Sequence, residues 1–518
     1  MINKKSNLPL LLAIAVAFGI LVGSNFNYSG YSDSNYSEEA KLKKLIQYIK
    51  YDYVDSISTN DLLEGAINNI VGQLDPHSTY FTKEELARDN EQFQGNFKGI
   101  GVQFRMIQDT VVVLQVIKGG PSEKTDMQAG DRIISANGNT LVGIKSNDVV
   151  KQLKGPENTV VNVGIYRPLA KEEKTIEIQR GAVPIPSIIA YTMINDSLGY
   201  IKLNRFAGTS YDEFKFAIDS LLEKGMSRLV FDLRDNPGGY MNIANQICDE
   251  FLDDGKLIVY TKNNKNWIQE DFATSDGDFE KGQVYILINE SSASASEIVA
   301  GAVQDNDRGT IIGRRSFGKG LVQQTKELGD GSAVRLTIAR YYTPTGRSIQ
   351  KPYELNESEN YYQDIIDRSM NGELVNADSI KVNDSLKYIT PKGKTVYGGG
   401  GIVPDVFVPI DTSYNHLNIT TRKILDFSFE YVDTRRDELK DLDIEGYKSY
   451  IESDKNLVDN FLKEIESKQE ISATDKEKLN DLLKTRIAGE LFPDRKYYIY
   501  LLEDDAMIQK VLELEKEN

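Results

Sequence analysis

Residues 284–301 read Val-Tyr-Ile-Leu-Ile-Asn-Glu-Ser-Ser-Ala-Ser-Ala-Ser-Glu-Ile-Val-Ala-Gly, and this stretch decides the fold of the centre of the chain. The apolar run 284–288 predicts a buried strand, and the small residues after it lead into a helical pattern. This arrangement places a serine at a helix N-terminus, where free backbone N–H groups stabilise a developing oxyanion. An isolated Ser-Ala-Ser is also consistent with a simple helix cap, so a catalytic serine needs a partner.

Similar apolar runs recur from Gly199 to Pro409, with helical patterns between them. Alternating strands and helices predict an α/β sheet with buried strands. A hairpin with half-buried strands follows around Gly329-Asp330-Gly331. The predicted strands are 200–203, 229–233, 284–288 and 310–312, the predicted helices are 210–224, 241–252 and 296–303, the hairpin strands are 321–327 and 333–341, and 353–387 is interpreted as an acidic insertion.

The regions on either side of this core have different patterns. Apolar residues recur every three or four positions over 38–90, which predicts a helical cap with a proline break at 74–80 and a helix N-cap at Thr82. Short alternating strands with glycine turns follow over 97–180 and predict a compact β-rich module. The charged segment after Thr412 predicts a second helical cap.

A catalytic serine needs a base, and the chain has only two histidines, His77 and His416, which lie outside the α/β region. A histidine triad would have to recruit one of them from a flanking region. The alternative base is a lysine whose pKa burial lowers, and Lys319 lies among glycines and apolar residues in the stretch 315–321. Alone, a Gly-Lys-Gly is more often an exposed turn or an anion-binding loop. It lacks the spacing of a phosphate loop, which excludes nucleotide binding.

Composition excludes several functional classes. The 61 basic and 78 acidic residues give a net charge of −17, which disfavours a nucleic-acid partner. The single cysteine, Cys248, cannot form an internal disulfide, and with two histidines a Cys/His metal cluster is hard to assemble. We therefore expect no metal, and a serine mechanism requires no cofactor.

The N-terminus has the cationic start and apolar length of an export signal, with Lys4 and Lys5 followed by the apolar residues 8–23. The apolar run is short for a spanning helix, yet no clean cleavage site precedes Asn25. Both an uncleaved signal anchor and a cleaved signal peptide remain open. Either one predicts an extracytoplasmic location, in the periplasm or cell envelope, and the anchor would hold the protein to the cytoplasmic membrane.

From about Glu38 to Pro409 the chain resembles the C-terminal processing, or tail-specific, serine peptidases. The resemblance rests on the runs Ser-Ala-Ser-Ala-Ser-Glu and Phe-Gly-Lys-Gly and on the 25-residue spacing from Ser294 to Lys319. It implies a crotonase-like α/β core in which Ser294 is the nucleophile, Lys319 the base and Gln323 the residue that holds the lysine amine. Residues four apart on a strand share a face, so Gln323 and Lys319 should lie on the same side.

An oxyanion hole needs two backbone donors. Ala295 follows the nucleophile and supplies the first, and the turn 232–239 is expected to supply the second from Gly238 or Gly239. Pro237 stands where the family often has another glycine, so the choice between them stays open. Asp305 matches a family aspartate, but eleven helical residues rise about 16 Å, so we expect it to support the site without touching Ser294.

The β-rich module resembles a PDZ domain with a β-barrel-like fold. The resemblance implies a groove that takes substrate C-termini by strand addition, with Gly99, Ile100, Gly101 and Val102 as the carboxylate-binding loop. Ile100 and Val102 should line the pocket for an apolar last side chain. Arg132 could assist the carboxylate or form a surface ion pair with Asp131.

The motif Leu-Asp-Pro-His-Ser at 74–78 also matches the family, where the histidine is not the base, so His77 is interpreted as structural. The predicted domains are residues 1–25 (signal), 26–92 (N-terminal helices), 93–181 (PDZ), 182–411 (peptidase core) and 412–518 (C-terminal helices). The predicted function is a serine endopeptidase that recognises the free, apolar C-termini of exported proteins. A catalytically silent PDZ scaffold and a cytosolic ATP-linked protease are alternatives, and a homo-oligomer or an adaptor stays possible.

Overall fold

The computed structural model describes residues 12–19, 37–355, 358–412, 419–467, 471–492 and 496–517. The chain forms two compact units, residues 1–69 and 70–518. The first unit contains a helical segment at 12–19, the helix Glu38–Asp52 (α1), whose N-cap Ser37 accepts a hydrogen bond from Ala40 N–H, and most of Thr59–Gly72 (α2). In the described ranges no helix has the length and apolar character needed to cross a membrane. The remaining residues of the predicted 8–23 signal lie outside these ranges, so that prediction stays open.

The centre of the second unit is a six-stranded sheet in the order β10-β11-β12-β15-β16-β21. Strand β10 is antiparallel to its neighbour and the other pairs are parallel. The predicted α/β class is confirmed, because the strands and the helices between them alternate as expected. The strands are β10 Ile188–Met193, β11 Leu198–Leu203, β12 Arg228–Asp232, β15 Gln283–Ile288, β16 Thr310–Gly313 and β21 Val406–Phe407.

Three helices cover one face of this sheet: Ser210–Leu222 (α5), Met241–Asp249 (α6) and Ala295–Asp305 (α7). Alternate strand residues point to the two faces, so Ile201 and Ile286 pack against these helices while Tyr200 and Leu287 pack on the opposite face. The opposite face is covered by the end of the chain. Burial on both faces explains why the strands consist of nearly continuous apolar runs.

A second, antiparallel sheet carries the lysine turn and its neighbours. Its centre is β18, which pairs with β1, β13 and β17. The predicted hairpin at 321–341 forms, although Ile338 is exposed rather than half-buried. Strand β1 was not predicted, because three residues carry no periodicity. The strands are β1 Thr79–Phe81, β13 Leu257–Asn263, β14 Ile268–Phe272, β17 Leu321–Glu327 and β18 Ala333–Tyr342.

The β-rich module forms its own sheet in the order β3-β4-β5-β7-β8, with β6 beside β5. Strand β3 lies at an open edge of this sheet, and β2 and β9 pair where the chain enters and leaves the module. The preceding helix Lys83–Gln94 (α3) begins at the predicted N-cap Thr82 with a full capping box. The elements are β2 Asn96–Gly99, β3 Val102–Ile107, β4 Thr110–Val116, β5 Arg132–Ala136, β6 Asn139–Thr140, α4 Ser146–Leu153, β7 Val160–Arg167, β8 Glu172–Gln179 and β9 Gly181–Pro184.

The acidic insertion contains the helix Ser358–Met370 (α8), and the short paired strands Lys387–Ile389 (β19) and Thr395–Tyr397 (β20) follow at its end. The C-terminal segment is helical as predicted. Its first helices share a core of their own, whereas Met507, Ile508 and Val511 of the last helix pack on the peptidase sheet. The helices are α9 Thr421–Thr434, α10 Arg436–Leu439, α11 Ile444–Ser453, α12 Leu457–Glu464, α13 Ala473–Leu491, α14 Lys496–Glu503 and α15 Ala506–Glu517.

Candidate active site

Ser294 lies where the turn after β15 enters helix α7, as its N-cap residue. Its backbone has φ 55° and ψ −112°, a conformation that residues with a side chain rarely adopt. Such a conformation costs about 1–3 kcal/mol and persists only where the surrounding structure enforces it, which is common at functional sites. Here the Glu297 carboxylate accepts a 2.8 Å hydrogen bond from Ser294 N–H.

Lys319 lies in the turn between β16 and β17 and is half-buried. Burial, and then the positive charge of Arg335, lower the pKa of Lys319 from 10.5 to about 8. The carboxylates of Asp75 and Glu297 act in the opposite direction but do not cancel this shift. A lysine with a pKa near 8 carries a neutral amine at mildly alkaline pH, and only the neutral amine can accept a proton.

Glu297 joins the serine helix to the lysine turn. It is fully buried, and besides Ser294 N–H its carboxylate accepts hydrogen bonds from Gly318 N–H at 2.7 Å, Lys319 N–H at 2.9 Å and the Ser316 hydroxyl. Burial raises the pKa of Glu297, while these donors act to lower it. One carboxylate therefore binds the backbone N–H groups of both Ser294 and Lys319.

Gln323 lies on β17 and contacts the lysine amine. Lys319 Nζ donates a 2.8 Å hydrogen bond to Gln323 Oε1, which agrees with the expectation that both residues face one side. At the other end of the amide, Gln323 Nε2 donates a 2.5 Å hydrogen bond to the carbonyl oxygen of His77. Both ends of the side-chain amide are therefore engaged.

The buried hydroxyl of Tyr341 makes a second link between Ser294 and Lys319. It lies 3.1 Å from the Ser294 carbonyl oxygen and 2.8 Å from the Lys319 carbonyl oxygen, and it donates to this pair. Tyr341 is at the end of β18, so the antiparallel sheet contacts the start of helix α7, which follows a strand of the other sheet.

Ser294, Lys319 and Gln323 line one cleft of about 520 Å³. Over the described residues, no hydrogen bond joins Ser294 Oγ to Lys319 Nζ; the hydrogen bond formed by the amine goes to Gln323. The structure thus brings the predicted residues into one cavity without a direct serine–lysine bond. The cleft is also lined by Asp89, Asn90, Phe93, Pro237, Gly238, Gly239, Tyr240, Met241, Ala295, Ile298, Leu321, Val322, Gln324, Thr325, Arg335 and Tyr341.

The two glycines considered for the oxyanion hole differ in their hydrogen bonding. Gly238 N–H donates to the Asn236 side-chain oxygen at 2.8 Å, so it is already engaged. Gly239 N–H and Ala295 N–H have no hydrogen-bond acceptor among the described residues, and both residues line the cleft. Gly238 has φ 101°, and a Cβ there would lie 2.8 Å from the Ser294 Cβ, so only glycine fits at this position.

Asn236 fixes the turn against the serine helix. It is fully buried, its side-chain nitrogen donates to the Leu203 carbonyl oxygen at 3.0 Å, and its own carbonyl oxygen accepts hydrogen bonds from Ala293 N–H and the Ser296 hydroxyl. Asn236, Glu297 and Tyr341 were not among the site residues predicted from the sequence. The Ser-x-x-Glu spacing of 294–297 is a capping-box pattern and was a usable signal for Glu297.

Asp305 lies at the far end of helix α7, buried with the fully buried Arg347. Their side chains form a 2.7 Å ion pair, and Asp305 also accepts hydrogen bonds from Thr343 and Thr345. These contacts fix the turn that follows β18. Among the described residues Asp305 has no hydrogen bond to Ser294, which agrees with the expectation that it supports the site without touching Ser294.

His77 has no hydrogen bond to Ser294 among the described residues. Burial, and then the charge of Lys319, lower the pKa of His77 from 6.5 to about 3, so its ring is neutral at physiological pH. Its Nε2 lies 3.0 Å from the hydroxyl of Tyr361 on α8. The other histidine, His416, lies outside the described residues.

The loop at the start of β3 contains the residues expected to hold a peptide carboxylate. Gly101 has φ 80°, and in the described part of the chain neither Ile100 N–H nor Gly101 N–H has a hydrogen-bond acceptor. Gly99 ends the β2–β9 ribbon. The Ile100 side chain is 3% exposed and packs in the module's core, with half-buried Val102 against it, so Ile100 offers a ligand its backbone rather than its side chain.

Arg132 has a different partner from the one expected. It pairs with Asp433 of helix α9, and its guanidinium also donates to the Gly130 carbonyl oxygen at 2.9 Å. Asp131 instead accepts a 2.8 Å hydrogen bond from Arg167. The Arg132 side chain therefore joins the β-rich module to the C-terminal helices.

Comparisons with known proteins identify the family of this chain. Residues 197–355 match Peptidase family S41, residues 99–179 match the PDZ domain, and residues 24–85 match the activating protease CtpB N-terminal domain. A probable CtpA-like serine protease of Staphylococcus aureus (strain COL) is 31% identical over 388 residues, covering 73% of this chain and 76% of the relative. The chain belongs to peptidase family S41.

A second relative of this S41 peptidase is a probable CtpA-like serine protease of Staphylococcus haemolyticus (strain JCSC1435), 32% identical over 344 residues, with 66% of this chain and 68% of the relative covered. The solved photosystem II D1 C-terminal processing protease is 25% identical and covers 72% of this chain and 87% of its own, with a TM-score of 0.38. The predicted family and the serine-type peptidase activity are confirmed. Residues 416–494 match a family of unknown function.

Proposed function

We propose that this S41 peptidase is a serine endopeptidase that uses Ser294 and Lys319 and recognises substrate C-termini through its PDZ domain. The observation that carries the proposal is the buried amine of Lys319. Its pKa is lowered to about 8, it is held by Gln323, and it shares one cleft with a strained serine at a helix N-terminus. A neutral lysine can serve as the general base for a serine nucleophile in place of a histidine.

In the proposed reaction, neutral Lys319 accepts the Ser294 hydroxyl proton while Oγ bonds to the scissile carbonyl carbon. The carbonyl electron pair moves to oxygen and forms a tetrahedral oxyanion. When this intermediate collapses, the C–N bond breaks and Lys319 returns the proton to the leaving amine. Water then attacks the acyl ester with Lys319 again as base, which releases a new carboxyl terminus and restores Ser294.

We assign the oxyanion hole to Ala295 N–H and Gly239 N–H. Both amides have no acceptor in the described residues, whereas Gly238 N–H is engaged by Asn236. Gly238 contributes in another way, because its missing side chain lets the turn approach Ser294 closely. Two preorganised donors stabilise the developing negative charge without reorganising during the reaction.

In the described residues the Lys319 amine is hydrogen-bonded to Gln323 and not to Ser294, and this affects how the proposed proton transfer begins. With Lys319 donating to Gln323, its lone pair must be directed at Ser294 Oγ before proton transfer, and substrate in the cleft is expected to complete this alignment. Catalytic hydrogen bonds commonly tighten only when substrate is bound.

For substrate recognition we propose strand addition at the open edge of β3, with the terminal carboxylate on Ile100 N–H and Gly101 N–H. Arg132 is committed to Asp433 and takes no part. Half-buried Val102 and Phe104 face the PDZ core from β3 and suit an apolar last residue. Amidation of a test peptide's C-terminus removes the carboxylate and should raise KM without lowering kcat.

The proposed cellular location rests on the N-terminal residues, of which the structure describes 12–19. We propose that the protein acts outside the cytoplasm on exported proteins and is held to the membrane by residues 8–23, on the basis of Lys4, Lys5 and the apolar run. A catalytically silent PDZ scaffold remains the alternative, and it predicts peptide binding without hydrolysis.

The nucleophile is tested by replacing Ser294 with Ala in the full chain. An unfolded test protein with an apolar C-terminus is incubated with each variant, and its fragments are followed by mass spectrometry. We expect S294A and K319A each to lower kcat by at least about 10³-fold, because neither half of a nucleophile–base pair acts alone. The exposed Ser291, three residues earlier, gives the matched control S291A, which should cleave like the wild type. Cleavage that survives in S294A contradicts the assignment.

A further inference from the structure

The motif at 74–78 forms a turn that Asp75 closes. Asp75 Oδ1 accepts hydrogen bonds from His77 N–H at 3.0 Å and Ser78 N–H at 3.1 Å, and its Oδ2 accepts one from the Ser78 hydroxyl. Side-chain acceptance from the backbone two and three residues ahead is the pattern of an Asx turn. The position of the His77 carbonyl is therefore set by one carboxylate.

This turn is attached to the strand that faces Gln323. Thr337 on β18 donates its hydroxyl to Asp75 Oδ1 at 3.0 Å, and its N–H donates to Ser78 Oγ at 3.2 Å. In the hairpin register Thr337 is the direct partner of Gln323 on β17. The turn and Gln323 are therefore both attached to the same residue of β18, Thr337.

The contact between them fixes which end of the amide faces the base. The His77 carbonyl oxygen can only accept a hydrogen bond, so it requires Gln323 Nε2 on its side. The Gln323 carbonyl oxygen must then face Lys319 Nζ. In this orientation Lys319 donates to glutamine and keeps its lone pair for the Ser294 proton.

The opposite orientation would disable the base. A Gln323 rotated by half a turn presents Nε2 to Lys319, and an amide N–H facing a neutral amine donates to the amine's lone pair. The lone pair would then be occupied by glutamine. The two orientations have nearly the same shape, so packing alone discriminates weakly between them.

We propose that the turn Asp75–Ser78 is a positioning device for the general base: its His77 carbonyl holds Gln323 in the one amide orientation that leaves the Lys319 lone pair free. The inference rests on the proposed Ser294/Lys319 mechanism and extends it to residues that touch neither substrate nor the reacting atoms. Asp75 and Thr337 act through Gln323.

The test compares D75A, T337V and Q323A, singly and combined, in the full chain acting on the unfolded protein with an apolar C-terminus. D75A should lower kcat by about 10- to 100-fold with KM within about twofold, since small misplacements of catalytic groups cost this much. T337V is isosteric and removes one anchor of the turn, so a smaller loss is expected without unfolding. Because both act through Gln323, D75A/Q323A should be no slower than Q323A alone.

Two controls separate positioning from electrostatics and from general damage. Arg335, Asp75, Glu297 and the neutral His77 face Lys319, and removing the Asp75 charge alone would lower the lysine pKa and raise activity near neutral pH. If Asp75 acts by positioning, D75A should instead lower the plateau that kcat reaches at high pH. D75N keeps an acceptor oxygen, so it should restore most of the wild-type kcat. Asp330 closes a comparable turn on Ser332 in the same hairpin, so D330A should behave like the wild type.

The outcomes are distinguishable. Wild-type kinetics in both D75A and T337V, or losses that add to that of Q323A, overturn the inference while leaving the dyad intact. If the wild type does not cleave, or if S294A cleaves as fast as the wild type, the proposed function itself fails. Melting temperatures of all variants show whether a loss of kcat reflects unfolding.

Discussion

At the residue scale, the pKa of Lys319 depends on its neighbours. Arg335 lies in the same cleft, pairs with Asp89, and holds its guanidinium 4.8 Å from the ring of Phe81 and 5.3 Å from that of Phe93. These contacts place a permanent positive charge near the base. A cation disfavours a second cation beside it, so Arg335 adds to burial in lowering the pKa of Lys319.

We expect kcat/KM to rise with pH through about 8 and then level, because only the neutral amine accepts the Ser294 proton. R335Q removes the like charge, so the lysine pKa rises and the rising limb moves to higher pH. The exposed Arg340, on the same strand, gives the control R340Q, whose profile should match the wild type. A pH profile is the measurement, and an unchanged limb in R335Q would contradict the role of Arg335.

At the scale of elements, the start of helix α7 and the lysine turn are joined by the Glu297 carboxylate. These two segments follow adjacent parallel strands, β15 and β16, whose carboxyl ends meet at one edge of the sheet. The sheet brings them close, and the carboxylate sets their spacing. The insertion helix α8 supports the other side of the turn, where Arg368 donates to the Ser316 carbonyl oxygen at 2.7 Å.

E297A should lower both stability and activity. The change leaves several buried donors without an acceptor, and each such group costs about 1–3 kcal/mol, so we expect a loss of at least about 3 kcal/mol in the free energy of unfolding. Chemical denaturation measures this loss. The exposed Glu84 on α3 gives the control E84A, which should change the free energy of unfolding by less than about 0.5 kcal/mol. Equal stabilities of the two variants would show that Glu297 is dispensable.

At the scale of the whole molecule, the C-terminal helices contact two other modules. Asp505, just before the last helix, pairs with Arg234 beside the oxyanion turn. Farther back, Glu490 pairs with Arg105 of the PDZ strand β3 at 2.8 Å, and Asp433 pairs with Arg132. The region that matches a family of unknown function therefore contacts the PDZ sheet, and the last helices beyond it contact the peptidase sheet.

D433A should loosen this attachment. The ion pair is partly exposed, so the expected loss is at most about 1 kcal/mol. The informative measurement is amide hydrogen exchange, which should speed up in β5 of the PDZ domain and stay unchanged in β12 and β15 of the peptidase sheet. Asp437 lies four residues after Asp433, is exposed and pairs with Lys440. It supplies the control variant D437A. Unchanged exchange in β5 would show that Arg132 does not need its partner.

Much of the fold was predictable because the element signals are local. Apolar runs gave the parallel strands, and a capping box gave the start of α3 at Thr82. Strand β1 was not predicted, because three residues are too few to show a period. The packing of Met507 on the sheet was not predicted either, because a helical pattern does not say which element the helix packs against.

The sequence by itself determined the candidate nucleophile and base, since Ser294 and Lys319 stand in short motifs whose residue types carry their chemistry. Only the tertiary structure decided which groups activate and orient them. Asp75, Arg335 and Tyr341 are all far from Ser294 along the chain. Strand β18 carries Arg335 and Tyr341 into the cleft and binds Asp75 through Thr337. The proposed assignment of the oxyanion hole to Gly239 also depends on the tertiary structure, because the Asn236 side chain accepts a hydrogen bond from Gly238 N–H. Such contacts depend on distances in space, which residue spacing does not contain.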